Sequence, residues 1–547
     1  MEKGFVIRAA AFLMVIQVLS RLLGYARDSL LLNTFGQSYI TDAYNAAFRI
    51  PDFIYNILIG GAISAAFIPV FSSYIANKDS DEAWKVSSIF SSWVLSLMLA
   101  GCLFSFIYAE PLLSWLVQFE EAEMALPVTL MRITLVQAIF MALSAIATGI
   151  LQSYQHFTWP AIGTLLYNIC IILGGVFLVR PIEAAWPGYG VAGFSVGVVA
   201  GAILTLVVQV PMLKKVGFRY RLCFDTRNPG LRQLVKLIIP VLIGLSVTQI
   251  NLFITQYLAT GLEDGLYTTL LTANRFFQLP LGVFAIAICT AIFPTMTQQA
   301  AVGELDEMKK SLSLGVRNIS FVLLPSAVGL IMLREPIIRL LYEFSGKFTA
   351  YDTQIASQAL LYYCIGLIAY GAAMALIRGF YAMQNTLTPV LVSVLAIVLN
   401  IVFSLLLVGP MGHRGLAFAY SLAGFAQCGF LLIFLRLKLG RMDLRHMLMT
   451  LFKTAVACLV MALAVWGANW GCELIFGIGS KLGQLLQVAV GIGVGVAVFF
   501  AAAYAMKMEE LRLVLQMLKR RRAPKGDKSA GAADSDAQNT IEGLTDD

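Results

Sequence analysis

The chain has 547 residues, of which 59% are hydrophobic and only 13% are charged, and its formal net charge is +8. Soluble domains carry roughly 25% charged residues, so a water-soluble protein of this composition would lack the charge to cover its surface. The composition therefore predicts a polytopic membrane protein and excludes most soluble enzyme classes. In such a protein an excess of positive charge is typical of cytoplasmic loops, and we expect no nucleic-acid partner.

Long apolar segments recur along the whole chain, and a bilayer span takes about 20 such residues. Fourteen segments qualify, near residues 10–33, 42–75, 86–109, 126–151, 160–179, 189–213, 233–259, 266–297, 314–333, 354–384, 388–408, 415–437, 450–475 and 482–506. They are continuously apolar instead of alternating over about ten residues, which excludes a transmembrane β-barrel. We therefore predict an all-α polytopic membrane protein with fourteen transmembrane helices.

Lysine and arginine are distributed unevenly between the loops on the two sides of the predicted membrane. If the N-terminus is cytoplasmic, 27 of these residues fall in or beside cytoplasmic connections and seven fall on the other side. Cytoplasmic loops carry the excess of Lys and Arg in membrane proteins, so both termini are expected in the cytoplasm. The basic loops are expected to contact anionic membrane lipids.

Four landmarks recur in the sequence at offsets of 225 to 230 residues. The pairs are Arg49 with Arg275, Pro69 with Pro294, Gly149 with Gly379, and Gly190 with Gly415. They predict two copies of a six-span unit with the same orientation, related by an axis along the membrane normal. The alternative is chance similarity, because apolar helices resemble one another easily.

The repeat divides the chain into five predicted regions. These are an N-lobe of spans 1–6 (1–213), a cytoplasmic connection (214–232), a C-lobe of spans 7–12 (233–437), spans 13 and 14 (438–507), and a basic juxtamembrane helix followed by a disordered tail (508–547). Disorder is expected because the last residues are small, polar and acidic and cannot bury an apolar core.

Charged and polar side chains lie at bilayer depth in spans 1, 2 and 8, where they are costly and usually functional. On span 2 five of them follow spacings of 3, 4, 3 and 4, which predicts one helical face: Asp42, Asn45, Arg49, Asp52 and Asn56. Similar stripes contain Gln17, Arg21, Gly24 and Asp28 on span 1, with Arg27 alongside, and Thr268, Thr272, Arg275 and Gln278 on span 8. Pro51 is expected to bend span 2. Such faces line either a water-filled cavity or packed helix interfaces.

The charges inside the predicted spans do not balance. Five arginines (Arg21, Arg27, Arg49, Arg275 and Arg378) stand against three aspartates (Asp28, Asp42 and Asp52). Because unpaired buried charge is costly, the excess predicts an anionic ligand, and the planar guanidinium group suits a phosphate. The alternatives are that Arg27 pairs with Asp28 or Asp42, and that Arg378 reaches the inner membrane surface.

The sequence contains no strong signal for a metal site or a catalytic site. The eight cysteines form no CxxC pair and the three histidines have no ligand spacing, so we expect no metal. No HExxH or P-loop motif occurs, and no glycine-rich or serine motif stands in the βαβ context that its chemistry needs. We therefore expect no catalytic residue and no cofactor.

Several motifs resemble those of one known family. They are SRLLGYARD at 20–28, TDAY at 41–44, FRIP at 48–51, GAISAAFIP at 61–69, and ANR and PLGV within 273–283. In these motifs the chain resembles the lipid II flippases of the MurJ (MviN) type, members of the multidrug/oligosaccharidyl-lipid/polysaccharide exporter superfamily. The resemblance extends to about residue 507.

The resemblance implies a transporter of the bacterial cytoplasmic membrane that moves lipid II, an undecaprenyl-pyrophosphate disaccharide-pentapeptide, from the inner to the outer leaflet by alternating access. It maps the family's cavity arginines onto Arg21, Arg27, Arg49 and Arg275, with acidic partners at Asp28 and Asp42. We expect Asn45, Asp52, Asn56 and Gln278 to support this cavity. The resemblance also implies a groove for the polyprenyl tail at spans 13 and 14, and contacts with the peptidoglycan synthesis machinery.

The chain departs from the family pattern at two places. Many members carry basic residues after the proline of span 2, where this chain has Tyr55 and Asn56. Some members build a sodium site partly from acidic residues on spans 7 and 11, but residues 232–259 and 388–408 contain no Asp or Glu. Sodium coupling at that site is therefore not expected. The resemblance implies a transporter instead of an enzyme, and its driving force is expected to be the membrane potential or a coupling ion bound elsewhere.

Three other functions account for the sequence less well. A flippase for another polyprenyl-pyrophosphate oligosaccharide, such as a capsule or O-antigen unit, would share the basic cavity. A cation-coupled drug exporter would need unpaired acids in the cavity. A membrane enzyme acting on polyprenyl phosphates would need an acidic metal-binding cluster or an active-site loop.

Overall fold

The structure is a computed structural model, and it describes residues 3–60, 63–77, 79–344, 346–440, 443–477 and 479–511. Within these ranges the chain forms helices joined by short loops, with no β-strand. The all-α class predicted from the sequence is confirmed. The predicted tail at 523–547, and the predicted juxtamembrane helix from residue 512 onward, lie outside the described residues.

The helices before residue 216 are α1 (Lys3–Phe35), α2 (Tyr39–Ala47), α3 (Arg49–Tyr55), α4 (Ile68–Ala76), α5 (Ser80–Ile107), α6 (Ala109–Ser114), α7 (Ala125–Ser153), α8 (Thr158–Phe177), α9 (Val179–Ala185), α10 (Ala192–Val207) and α11 (Val210–Lys215). Two π-helical turns, Asn56–Gly60 and Ile63–Phe67, lie between α3 and α4, and a 3₁₀ turn, Glu121–Glu123, precedes α7.

The later helices are α12 (Pro229–Thr260), α13 (Leu266–Pro280), α14 (Ile286–Ala301), α15 (Leu305–Met332), α16 (Arg334–Tyr342), α17 (Ala350–Ile365), α18 (Leu367–Ala382), α19 (Leu387–Met411), α20 (His413–Leu439), α21 (Leu444–Phe476) and α22 (Lys481–Ala505). A third π-helical turn, Leu281–Ala285, joins α13 to α14.

In the described part of the chain, eleven helices are long and apolar enough to cross a membrane. They carry eleven of the fourteen predicted segments. The other three segments, 10–33, 42–75 and 233–259, are also largely helical and lie in α1, in α2–α4 and in α12. The chain is therefore a multi-pass membrane protein, whereas the count of fourteen spans remains a prediction.

The second predicted span is not one regular α-helix. α2 ends at Ala47 and α3 begins at Arg49, and Pro51 has no N–H group to bond the carbonyl of Ala47. After Tyr55 the chain widens into the two π-helical turns. Spacings of 3 and 4 keep side chains on one face only in a regular α-helix, so the polar stripe predicted on span 2 is divided.

A π-helical turn recurs in the second half of the chain. The turns Asn56–Gly60 and Leu281–Ala285 start 225 residues apart, which is the offset of the sequence landmarks. Such turns carry an additional residue and often occur at functional sites. They lie in the two predicted spans that contain Arg49 and Arg275.

Helices α1–α11 pack mainly on one another, as do helices α12–α20, and we name these sets the N-terminal bundle and the C-terminal bundle. Within the first set, α8 and α10 approach backbone to backbone. A Cβ atom on Gly174 would lie 2.5 Å from the carbonyl oxygen of Gly193, and one on Gly197 would lie 2.7 Å from that of Cys170. Small residues permit such close helix packing in membranes.

Helices α21 and α22 pack on each other and dock on α15. The contact is a separate apolar cluster that includes Phe321 of α15, Val465 of α21 and Phe499 of α22. The rings of Phe321 and Phe499 lie 5.2 Å apart between centroids. The last two helices are thus attached to the C-terminal bundle and lie apart from the interface between the bundles.

Candidate ligand-binding cavity

A cavity of about 280 Å³ lies between the two bundles. Its polar lining combines arginine, aspartate, amide and hydroxyl side chains: Arg27, Asp28, Asn45, Arg49, Asp52, Gln137, Thr268, Thr272 and Arg275. We name it the central cavity. Three arginines and two aspartates leave the lining with a formal excess of one positive charge, so the cavity is basic.

Asp28 holds two of these arginines. Its Oδ1 atom accepts hydrogen bonds from Nε and Nη2 of Arg27 at 3.1 and 3.0 Å, and its Oδ2 atom forms an ion pair with Arg275 of the C-terminal bundle. The side chain of Asp28 is 9% exposed, whereas those of Arg27 and Arg275 are 23% and 37% exposed. The pairing of Arg27 with Asp28 that the sequence left open is therefore present. Because one carboxylate cannot neutralise two guanidinium groups, positive charge remains at the cavity surface.

Arg49 is held by neutral groups. Its Nε atom donates to Oε1 of Gln256 at 2.8 Å, and its Nη2 atom donates to the hydroxyl of Tyr267. That hydroxyl donates in turn to Oε1 of Gln256 at 3.0 Å. Asp52 lines the same cavity, but no ion pair of Asp52 within 4.0 Å occurs in the described ranges. Arg49 therefore keeps a guanidinium charge that an anion can neutralise.

Asp42 closes one end of the interface between the bundles instead of lining the central cavity. Its buried carboxylate accepts hydrogen bonds from the backbone N–H groups of Gly265 at 2.8 Å and Thr268 at 2.7 Å. These groups lie at the start of α13, where free N–H groups and the helix dipole favour a carboxylate. Asn45 donates to the hydroxyl of Thr268 at 3.0 Å. Asp42 and Asn45 thus tie α2 to α13.

Further hydrogen bonds join the bundles at the same end. Gln118 donates to Thr260 and to the carbonyl of Tyr257, and Phe344 donates from its backbone to Asn33. We name these contacts, together with those of Asp42 and Asn45, the end seal. In the predicted topology the loops that carry it, near residues 36, 118, 262 and 347, lie outside the cell.

Besides Asp42, three predicted site residues lie outside the lining of the central cavity. Arg21 lies beside Gly282, where a Cβ atom would be 3.1 Å from its Nη2 atom. Asn56 begins a π-helical turn and its Oδ1 atom lies against Gly60. Gln278 lines a different cavity within the C-terminal bundle.

These positions correct the expectation of single polar faces. The break before Arg49 and the π-helical turn at Asn56 end the regular register on span 2. On α13, ten residues at 3.6 per turn put Gln278 about 80° around the helix from Thr268. Arg378 also lies elsewhere, with its guanidinium 5.3 Å from the ring centroid of Phe293, so it does not add to the charge of the cavity.

The neutral partners of the arginines were missed from the sequence. Gln256 and Tyr267 hold Arg49, and Asn168 accepts a hydrogen bond from Arg27 at 3.5 Å. Gln137 lines the cavity, and its Oε1 atom is buried without a partner in the described part of the chain. A signal existed for Gln256, because amide side chains interrupt the apolar segment at 233–259. These amides were missed because the prediction relied on charged side chains.

Over the residues that the structure describes, no group of three or more His, Cys, Asp or Glu side chains is placed to hold a metal ion. The groups that line the central cavity act by charge and by hydrogen bonding. Guanidinium groups bind phosphate oxygens in a planar fork, and the amides position neutral polar groups. The arrangement is suited to holding an anionic, hydroxyl-rich molecule.

The fold is shared with known transporters. An inward-facing multidrug resistance MATE family transporter of the MOP superfamily superimposes with a TM-score of 0.65 at 15% identity, over 79% of this chain and 98% of that chain. The chain therefore shares the fold of this transporter.

Closer matches define the family. The family model described as "Lipid II flippase MurJ" matches residues 31–513. The chain is 31% identical over 424 residues to the probable lipid II flippase MurJ of Vibrio cholerae, covering 76% of this chain and 80% of that protein. It is 29% identical over 534 residues to that of Rhizobium tropici, covering 93% and 96%. A solved "Lipid II flippase MurJ, inward closed conformation" superimposes with a TM-score of 0.74 at 26% identity, over 90% of this chain and 99% of that chain. The chain belongs to the MurJ family of lipid II flippases, which confirms the resemblance found in its motifs.

Proposed function

We propose that this protein moves lipid II from the inner to the outer leaflet of the bacterial cytoplasmic membrane, without covalent chemistry. The observation that carries the proposal is the basic central cavity between two bundles, in a chain of the MurJ family. Arg49 has neutral partners, and Arg27 and Arg275 share the carboxylate of Asp28. A pyrophosphate brings the missing negative charge, and its oxygens fit the guanidinium forks. A flippase for another polyprenyl-linked oligosaccharide is not favoured, because the family match is to lipid II flippases.

Transport proceeds by alternating access of the central cavity. With both termini in the cytoplasm, the end seal closes the outer side, so the substrate enters from the inner leaflet. The similarity to a lipid II flippase in an inward closed conformation supports this state. Release to the outer leaflet requires the hydrogen bonds of Asp42 to break while the bundles close on the opposite side.

The proposal also covers the polyprenyl tail, the surrounding lipids and the driving force. The exposed apolar side chains of α21 and α22, such as Leu463, Leu474 and Leu482, suit a polyprenyl tail that stays in the lipid while the head group crosses. The basic cytoplasmic loops contact anionic lipids, and the peptidoglycan synthesis machinery receives the product. The net positive charge of the cavity responds to the membrane potential, worth about 2.3 kcal/mol per charge per 100 mV.

The test measures lipid II translocation and membrane abundance in cells depleted of their own flippase. Wild-type protein should restore growth, whereas Arg49→Ala and Arg275→Ala should abolish translocation at normal abundance. Arg49→Lys should rescue only partly, because an ammonium group keeps the charge and loses the fork. Adding Asp52→Asn to Arg49→Ala should not restore activity, since Gln256 and Tyr267 are the observed partners of Arg49.

The matched control is Arg132→Ala. Arg132 is an exposed arginine of α7 that lies against Phe106, outside the central cavity. The Arg132→Ala variant should translocate lipid II at the wild-type rate. Normal translocation by both cavity alanine variants would contradict the proposed function.

A further inference from the structure

A second cavity, of about 480 Å³, lies inside the C-terminal bundle, enclosed by α12, α13 and α17–α20. We name it the C-terminal cavity. Amide side chains from four helices line it: Asn251, Asn274, Gln278, Asn400 and Gln427. Its size falls in the range of about 300–1,000 Å³ that is typical of ligand pockets. Five amide groups gathered inside one membrane-spanning bundle need an explanation.

The two cavities share a wall. Arg49 and Tyr267 line both of them, and the hydrogen bond between these residues lies in the wall. Arg49 is the one charged side chain among the described residues that line the C-terminal cavity. Away from Arg49, a molecule in this cavity meets uncharged side chains only, and it lies next to whatever anion Arg49 binds.

Two of the amides have buried atoms without a partner. The side chain of Asn400 is 4% exposed, and its Nδ2 atom has no hydrogen-bond partner in the described ranges. The Oδ1 atom of Asn251, on the facing helix α12, is also buried without a hydrogen-bond partner in these ranges. An unpaired buried polar group is costly, so a donor and an acceptor left open on residues that line one cavity point to a molecule that both accepts and donates.

Aromatic rings form another side of the cavity. The rings of Tyr370 and Tyr420 stack at 4.6 Å between centroids, and Tyr363 meets Tyr420 edge to face at 5.5 Å. Tyrosine rings offer an apolar face together with a polar hydroxyl. A sugar ring has the complementary surface, with C–H groups on its faces and hydroxyl and acetamido groups at its rim that donate and accept.

We propose that the C-terminal cavity binds the uncharged N-acetylated sugars of the lipid-linked substrate. The identity of this ligand rests on the proposed function, because the sugars are attached directly to the pyrophosphate that Arg49 would hold. Asn400 and Asn251 receive the acetamido and hydroxyl groups, and the tyrosine wall packs against the rings. The shared wall at Arg49 and Tyr267 then contacts both the anionic and the sugar parts of one molecule.

A soluble disaccharide tests the cavity without any lipid. In a chain without its native cysteines, Ser393→Cys places a thiol on the cavity wall and Ser404→Cys places one on the same helix, buried but outside the lining. N,N′-diacetylchitobiose should slow maleimide labelling of Ser393→Cys about threefold or more and leave Ser404→Cys unchanged. Cellobiose, which lacks the acetamido groups, should protect less. Equal protection of both thiols, no protection, or protection by sodium ions instead of the disaccharide would overturn the proposal.

Lipid binding separates this inference from the proposed function. Wild-type protein should bind lipid II more tightly than undecaprenyl pyrophosphate. Asn400→Leu and Gln427→Leu should each lose about tenfold of that preference, the equivalent of one or two hydrogen bonds, while binding of undecaprenyl pyrophosphate stays within about twofold. Ser404→Val should keep the preference, and Arg49→Ala should weaken binding of both lipids.

If wild-type protein binds neither lipid, the proposed function fails, and the disaccharide protection experiment alone tests the inference about the C-terminal cavity. If both leucine variants keep the preference, the inference is wrong.

Discussion

Arg275 of α13 forms an ion pair with Asp28 of α1, and this pair joins the C-terminal bundle to the N-terminal bundle. Arg49, the counterpart of Arg275 in the predicted repeat, makes the reciprocal contact by donating to Gln256 of α12. Each arginine thus reaches the first long helix of the opposite bundle. One of these contacts is charged and the other is neutral. By formal charge Arg49 balances Asp52, so the excess positive charge of the central cavity lies with Arg27 and Arg275 around the single carboxylate of Asp28.

The ion pair leads to a prediction about stability. Asp28→Asn leaves Arg27 and Arg275 without their shared acid, and thermal unfolding of the purified protein should show a loss of about 1–3 kcal/mol. The loss stays moderate because both arginines are partly exposed and partly hydrated. Adding Arg275→Gln to Asp28→Asn should recover part of the stability, since one uncompensated charge is removed.

The matched control for this cycle is Asp81→Asn. Asp81 pairs with Arg219 at 3.6 Å, but both side chains are largely exposed, so the variant should unfold like wild type. Strictly additive effects of Asp28→Asn and Arg275→Gln would show that the two side chains are not coupled.

The end seal leads to a prediction about accessibility. Asp42→Ala removes the acceptor of two charge-assisted hydrogen bonds, so the sealed end should open more often. A cysteine at Thr272, which is buried in the central cavity, should then react with an impermeant thiol reagent added outside the cell about tenfold faster. Asp264→Ala, which removes an exposed acid from the adjoining loop, should leave the rate unchanged. An unchanged rate in Asp42→Ala would remove Asp42 from the seal.

A third prediction concerns the attachment of the last two helices. Arg317 of α15 pairs with Glu509 at 2.6 Å and with Glu510 at 2.7 Å, and Thr450 of α21 donates to Glu510 at 2.9 Å. The side chain of Glu510 is 3% exposed and that of Glu509 is 71% exposed. Glu510→Ala should therefore lower the unfolding temperature by several degrees, because it removes the buried acceptor shared by Arg317 and Thr450. Glu509→Ala should lower the unfolding temperature only slightly. Equal effects of the two substitutions would contradict the conclusion that Glu510 is the main stabilising partner of Arg317.

The same cluster has a pH dependence. The hydrogen bond from Arg317 lowers the pKa of Glu509 from its ordinary value of 4.5. A carboxyl group whose pKa is lowered by folding stabilises the folded state above its ordinary pKa and loses this effect as the pH falls below it. The small difference in unfolding temperature between wild type and Glu509→Ala should thus be present at pH 7 and vanish in acid. A difference that grows as the pH falls would reverse the sign of this linkage.

A fourth prediction concerns orientation in the membrane. Glu263, in the loop between α12 and α13, and Asn77, which directly follows α4, are both exposed. In a chain without its eight free cysteines, a cysteine at Glu263 should react with an impermeant reagent in intact cells, whereas one at Asn77 should react only after permeabilisation. The reverse pattern would overturn the topology derived from the basic loops, and with it the outer location of the end seal.

The sequence predicts the helices and the charged members of the central cavity. Of their pairings it offers only that of Arg27 with Asp28 or Asp42, and the first of these is present. Arg49 and Arg275 stand out because a charge in an apolar span is rare. Gln256 and Tyr267 do not, since neutral polar residues occur in many apolar helices. Asn56 and Gln278 were wrongly predicted to line the central cavity for geometric reasons. Spacings of 3 and 4 keep side chains on one face only over a short, regular α-helix. The π-helical turn at Asn56 breaks this regularity, and Gln278 lies too far along α13. The end seal is also hidden from the sequence, since its donors at Gly265 and Thr268 are backbone atoms.

The backbone donors of the end seal determine which substitutions the outer loop tolerates. Any residue except proline supplies an N–H group, so position 268 can change its side chain without removing the donor to Asp42. Gly265 is different, because its φ is +84° and a Cβ atom there would lie 2.6 Å from the carbonyl oxygen of Gln37. Over evolutionary time the closure of the seal therefore depends on an acid in one bundle and a glycine in the other. Exposed positions of the loop that take no part in the end seal, such as Asp264, can change without loosening it.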